Sequence, residues 1–320
     1  MKQSRLFPIF ACCLFTLFIA PNAFTGLPAA RVQDPKLGCT PPNGGKPLTL
    51  SAGCKLPFDS IKSDRGIDHV CPTGGCAELS GNPAQDSHRL LNVAKNNFCA
   101  AGSPAAISYK DFVGLQAASD KVKASSPAWW TGKLPTDRTQ LPKVQSSGGG
   151  RSRAIGEGTK VVFVGYIREA KYDDTETGED VNCKIGGAGK IGTEDNDIHI
   201  SVGLTTLTAS PATIPARCQS ITAEISPHFR PAVWEKVVTT PFRKVFQTRP
   251  IRITGTLLFD AEHVPCQKGA IRQGNPVRIS VWEIHPVYAI DVCKNKSLAR
   301  CDVNDNSAWT PFDQYDPATN

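Results

Sequence analysis

Ten cysteines downstream of an export leader constrain this 320-residue chain more than any other feature of its sequence. Lys2 and Arg5 precede an apolar run from Leu6 to Ala20, broken by Pro8 and Thr16, and small and polar residues follow up to Ala30. That order of basic, apolar and small segments is that of a secretory signal peptide over residues 1–30. A buried first helix is the competing reading, but polar, Pro- and Gly-rich sequence begins at once after it. Cleavage is expected between Ala23 and Arg31. Ile9-Phe10-Ala11-Cys12 resembles a lipid-attachment box, yet it lies inside the apolar run rather than at its end. No later stretch approaches the roughly 20 apolar residues that a membrane-spanning helix needs.

Cys12 and Cys13 leave with the signal. Cys39, Cys54, Cys71, Cys76, Cys99, Cys183, Cys218, Cys266, Cys293 and Cys301 remain, an even set in an exported, secreted or periplasmic chain, and are expected to form disulfides. A thiolate zinc site is the alternative. It calls for two closely spaced Cys pairs, and Cys71-Pro-Thr-Gly-Gly-Cys76 has no second. Cys39 with Cys54, Cys183 with Cys218, and Cys266 with Cys293 are the pairings that position along the chain suggests.

Charge divides unevenly. Residues 31–154 hold 16 Lys and Arg against 9 Asp and Glu, whereas residues 155–297 hold 17 against 16. A nearly neutral C-terminal half argues against the basic groove of a nucleic-acid binder. Arg230, Lys236, Arg243, Lys244, Arg249 and Arg252 form its one basic stretch, which reads as a solvated face before it reads as a polyanion site.

Residues 31–124 form a Cys-containing irregular and helical segment. Leu90, Leu91, Val93, Ala94 and Phe98 sit at helical spacing, and Ser108 caps a second helix from Tyr109 to Lys123. So small a core needs cross-links. Residues 125–157, with Pro127, Pro135, Pro142 and Ser146-Ser-Gly-Gly-Gly150, have linker composition. Trp129-Trp130 within them is either a stacking platform for sugar or base or, more simply, packing onto a neighbour.

From residue 158 the pattern changes to strands. Thr159–Ile167 is a nearly continuous β-branched and aromatic run. Asn196–Leu204 alternates, with Ile198, Ile200, Val202 and Leu204 on one face and Asp197, His199 and Ser201 on the other. Ser220–Ile225 is a third strand, Pro231 opens a helix, Pro250–Asp260 is a fourth strand with a bend at Gly255, and Arg278–Val292 is a fifth, where Pro286 demands a bulge or an edge. Three strands, a helix and two strands is the order of an OB-fold. The expected fold is therefore mainly β with a small α part: a five-stranded OB-like barrel over residues 158–297, preceded by the disulfide-stapled segment and followed by a polar tail, residues 298–320. An unrelated five-stranded antiparallel sheet with one helix fits the same string.

Lys95-Asn-Asn-Phe-Cys99, Val181-Asn-Cys183, Asp197-Ile-His199-Ile, Phe259-Asp-Ala-Glu-His263 and Trp282-Glu-Ile-His-Pro286 together resemble an uncharacterised family of exported bacterial proteins with an OB-like C-terminal domain. The resemblance implies that fold and compartment, and no activity.

Four histidines fall in the barrel, each near a carboxylate: Asp197 with His199, Glu224 with His228, Asp260 and Glu262 with His263, and Glu283 with His285. Asp197, His199, Glu224, His263, Glu283 and His285 are the candidate ligand-binding residues. Imidazoles of His199, His263 and His285 converging with carboxylates would suit a divalent metal, and a further carboxylate would supply the base for hydrolysis. Against this, the segment has no H-E-x-x-H spacing, and isolated, solvated His and acid residues give the same pattern. No nucleophile elbow or phosphate loop is present. The sequence favours a noncatalytic module that binds an envelope ligand or protein with no cofactor. A metal-dependent hydrolase is the runner-up, and a structural protein held by its N-terminal segment is the third reading.

Overall fold

The computed structural model describes residues 66–76, 83–125, 138–150, 152–173, 181, 183, 196–206, 218–260, 265–266 and 277–318. The expected signal peptide, Cys39, Cys54, Trp129-Trp130, Glu262 and His263 lie outside them.

Two helices come first, α1 (Gly66–Val70) and α2 (Pro83–Lys95), then the two-residue strand β1 (Ala105–Ala106) and helix α3 (Tyr109–Ser125). Ser108 starts α3 as expected. The Asp111 carboxylate accepts the Ser108 N–H at 2.7 Å, the return arm of a capping box, and its other oxygen accepts the Ser147 N–H at 2.8 Å. That second contact fastens the Gly/Ser stretch to the helix. Linker composition here hides a folded hairpin: β2 (Val144–Gln145) pairs antiparallel with β3 (Ala154–Ile155), Gly149 and Gly150 take positive φ between them, and Leu141 and Ile155 are buried.

β4 (Lys160–Tyr172) is long because it serves two partners. Residues 160–165 pair antiparallel with β7 (Ile251–Phe259), and residues 166–172 pair antiparallel with β5 (Ile198–Gly203), with a bulge between Ile167 and Glu169. β5 continues to β6 (Ser220–Ile225), β6 runs parallel to β8 (Trp282–Cys293), and β8 pairs antiparallel with β7. The five strands thus form a ring in the order β4-β5-β6-β8-β7-β4. Ile198, Ile200, Val202, Ile221, Ala223, Ile225, Ile253, Leu257 and Ile284 belong to its apolar core.

Between β6 and β7 the expected helix divides into a 3-10 helix (Ala232–Val238) and α4 (Thr240–Phe246). Thr239 is extended and Pro241 follows it, and a proline suits the first turn of a new helix better than the interior of an old one. Pro286 is accommodated as expected by irregular pairing: the β7–β8 register shifts around Gly255, where a Cβ would lie 2.5 Å from the Pro286 carbonyl oxygen. The residues read as a polar tail are part of the fold. β9 (Trp309–Pro311) extends the sheet along β8, and Phe312 is buried against Phe242 and Phe246.

The disulfides correct two expected pairings. Cys183 bonds Cys71, Cys218 bonds Cys266, and Cys293 bonds Cys301. Cys76 and Cys99 are also disulfide-bonded. Position along the chain suggested neighbours in loops. The fold instead places Cys183 beneath α1, where the Asp68 carboxylate accepts the Phe229 N–H at 3.1 Å and meets His228 Nδ1 at 2.9 Å. His228 Nε2 lies 2.8 Å from the Val181 carbonyl oxygen, so one histidine connects α1, the Cys183 segment and the end of β6.

Candidate functional site

Alternation places His199 on the face of β5 opposite Ile198 and Ile200, Glu224 on the matching face of β6, and Glu283 and His285 on that of β8. In an isolated ring this outer face would meet water. Here it is roofed. The turn that ends α2 lies over it: Asn96 Oδ1 accepts the Ser226 hydroxyl at 3.2 Å, Phe98 packs edge-on against Phe229 and stacks with Tyr288, and Lys95 Nζ stands 3.9 Å from Glu224 Oε2. Glu224, Glu283 and His285 are each at most 1% exposed, and His199 is 6% exposed. The reading of these residues as separately solvated therefore fails for all four. The local pattern gave the faces and could not show what covers them.

Register then brings the groups together. His199 and Glu224 are directly opposed across β5 and β6, and His199 Nε2 lies 3.1 Å from Glu224 Oε1 and 3.2 Å from Asp173 Oδ2. On the other side of Glu224, the parallel pairing of β6 with β8 delivers His285, whose Nδ1 is 2.9 Å from Glu224 Oε2. That approach does not have hydrogen-bond geometry. His285 Nδ1 makes its hydrogen bond with Glu283 Oε1 at 3.3 Å. Glu283 in turn accepts Arg278 Nη1 at 2.5 Å, and Arg278 Nη2 donates to Asp260 Oδ2 at 2.7 Å. His285 Nε2 faces Asp197 Oδ1 across 3.9 Å.

Three of the expected residues, Asp197, Glu224 and His285, form one group, with a donor atom of each within 4.8 Å of the others. His199 adjoins it through Glu224, and Glu283 stands behind His285. Two of the neighbouring groups have partners elsewhere. His228 is partnered by Asp68 rather than Glu224, and Asp260 binds Arg278. Of the three expected imidazoles, His263 lies outside the described residues; among the described residues the three-donor group has one imidazole and two carboxylates, and His199 is engaged by Glu224 and Asp173. Asp173, Lys95 and Arg278 escaped the sequence reading. Asp173 stands one residue beyond β4, and only the antiparallel pairing of β4 with β5 sets it beside His199.

The electrostatics follow from burial and neighbours. Burial alone would lower both imidazoles. Glu224, with Asp173 and Asp197 for His199 and with Glu283 and Asp197 for His285, outweighs it and raises each to about 9. Burial would raise Glu224, but His199 and Lys95, together with the contact to His285, hold it well below the usual carboxylate range. Asp197 and Glu283 are raised, chiefly by burial, with Glu224 adding repulsion. The site is thus a low-dielectric cluster in which one firmly anionic carboxylate separates two imidazoles.

The basic stretch is spoken for. Arg243 donates to the Ala170 carbonyl, Arg249 to those of Cys293 and Lys294, Arg252 to Asp291, and Arg230 to Glu235 and the Asn196 carbonyl. These contacts staple strands and loops and take four of its six cations from any polyanion. Among the described residues no helix is long and apolar enough to cross a membrane.

No known protein family, curated protein or solved structure matches this chain.

Proposed function

We propose that the mature protein is an exported, noncatalytic binding module whose five-strand ring is an OB-like barrel, and that a small ligand sits in the cluster on the outer face of β5, β6 and β8. One observation carries the reading. Asp197 Oδ1, Glu224 Oε2 and His285 Nε2 are buried without a hydrogen-bond partner, with Oε2 at 2.9 Å from His285 Nδ1 and Nε2 at 3.9 Å from Asp197 Oδ1. Leaving a buried polar atom unsatisfied costs about 1–3 kcal/mol, so three at one point call for a bound group.

Burial also separates this reading from the hydrolase. Asp173 and Asp197, with side chains 28% and 11% exposed, form the wetter edge of the cluster, while Glu224 and His285 lie behind them. A small ligand reaches such a seat. A scissile bond of a polymer does not approach His285, which is 0% exposed. The bound partner is accordingly a small envelope ligand, and nucleic acid is excluded from this proposal.

Native mass spectrometry of the exported, disulfide-intact protein tests it. One low-mass adduct per chain, lost on denaturation, is expected, together with inertness toward phosphomonoester, phosphodiester and carboxylic ester substrates with divalent ions present. Turnover that disappears in His285→Gln would replace this proposal with the hydrolase.

A further inference from the structure

We infer that the ligand of this seat is a single divalent first-row metal ion held by Asp197, Glu224 and His285. The inference rests on the binding reading above and narrows its ligand to one chemical class. Asp197, Glu224 and His285 make up the three-donor group, and each carries a buried side-chain atom without a hydrogen-bond partner. The donors lie within 4.8 Å of one another and would draw together around an ion, because zinc-type bonds to nitrogen and carboxylate oxygen are about 2.0–2.2 Å long. Each donor stands on, or one residue from, a strand of the ring, which gives it a rigid base.

The surroundings are those that an imidazole ligand uses. A metal-bound histidine donates its other ring N–H to a carboxylate that fixes its tautomer. His285 does this: Nδ1 meets Glu283 Oε1, and Arg278 anchors the second oxygen of Glu283, leaving Nε2 for the ion. Glu224 is prepared in the same way. His199 takes Oε1, and Oε2, which lies 2.9 Å from His285 Nδ1 without a hydrogen bond, is the oxygen offered to the ion. Lys95 approaches Oε2 from the roof and offsets part of the negative charge.

The donor set chooses among ions. Two carboxylate oxygens and one imidazole nitrogen suit Mn2+, Fe2+ or Zn2+. Calcium takes six to eight oxygens, and Mg2+ prefers an all-oxygen octahedral shell that retains waters. The ion would cross-link the Asp197 end of β5 to β6 and β8, a structural role compatible with absence of turnover.

The test uses the full mature chain, exported so that its disulfides form, and purified without chelator. Elemental analysis should find one equivalent of a first-row metal per chain. After removal by chelator, Zn2+ or Mn2+ should restore it and raise the thermal midpoint by about 5 °C or more, with Ca2+ and Mg2+ far weaker. Asp197→Asn should weaken binding at least 100-fold. Glu283→Gln, which leaves all three donors in place, should weaken it about 10–100-fold. If His285→Gln does not fold, these two variants decide the matter.

Absence of stoichiometric metal from the purified protein and after titration overturns the inference, as does unaltered affinity in Asp197→Asn. A stoichiometric organic adduct without metal would overturn the metal and leave the binding reading intact. Metal with metal-dependent turnover would do the reverse, and neither adduct nor metal would remove both.

Discussion

Glu224→Gln is the perturbation that reports most directly on the cluster. It keeps the shape of the side chain and removes the charge between His199 and His285. The magnitude can be worked from the imidazoles. Raising a histidine from about 6.5 unfolded to about 9 folded stabilises the native state at pH 7 by roughly 2–3 kcal/mol. Two such groups set an upper limit near 5 kcal/mol. The variant does not lose all of it, because Asp173 stays beside His199, and Glu283 and Asp197 stay beside His285. Removing one partner of a buried ion pair typically costs about 3–5 kcal/mol, which meets the same range. With chelator present, to keep metal out, the urea midpoint at pH 7 should fall by about 1–2 M with an unchanged slope. The pH dependence gives an independent check. A group with a raised folded pKa contributes stability that is fully present below its unfolded value and lost as pH rises through the folded one. The parent should therefore weaken between pH 6.5 and about 9, and Glu224→Gln should show a flatter profile over that window. On the acid side Glu224 acts in the opposite sense, its contribution disappearing as pH falls below the usual carboxylate range, with Asp197 and Glu283 partly cancelling it. A midpoint change under about 0.5 M, or an identical profile from pH 6.5 to 9, would refute the reasoning.

Three further outcomes are expected. Arg278→Met strands Glu283 and Asp260 as buried carboxylates and should cost about 3–5 kcal/mol by urea unfolding, while adding Glu283→Gln and Asp260→Asn should recover much of it. Phe312→Ala removes a buried ring from the Phe242–Phe246 contact and should cost about 3–5 kcal/mol, against near zero if residues 298–318 were a detached tail. Replacing Cys71 and Cys183 together by Ser should cost about 2–5 kcal/mol, with amide exchange rising first in α1 and around His228.

The legible part of the fold was whatever local pattern dictates. β6 falls on the residues that its composition marks, β5 alternates as written, and Pro231, Gly255 and Pro286 each sit at the kind of irregularity that proline or glycine forces. The site was half legible for the same reason. Asp197 and His199 share a face because they are two apart on a strand, as do Glu283 and His285. What joins the pairs is strand register, and the parallel pairing of β6 with β8 is a contact across some sixty residues that no local signal encodes. Disulfide partners were illegible because they depend on where loops lie in space. The hairpin in the Gly/Ser stretch and the ordered C-terminus were missed because their stability comes from tertiary contacts, through Asp111 and Phe312, that override linker-like composition.

The roof changes what the cluster is. On an open strand face, His199, Glu224 and His285 would be ordinary solvated groups, and exposed ion pairs contribute at most about 1 kcal/mol. Covered by Lys95, Asn96 and Phe98, the same atoms lose water, the neighbouring carboxylates hold the imidazoles at about 9 against the burial that would lower them, and each partner becomes costly to remove. The helical segment is thus a component of the site rather than a neighbouring module. A fragment beginning at residue 158 would retain Asp197, Glu224 and His285 and lose the residues that cover them. The cysteines carry the same logic. The Cys71–Cys183 bond ties α1 to the strand-bearing part of the chain, and by holding the roof in place it supports the cluster from a distance.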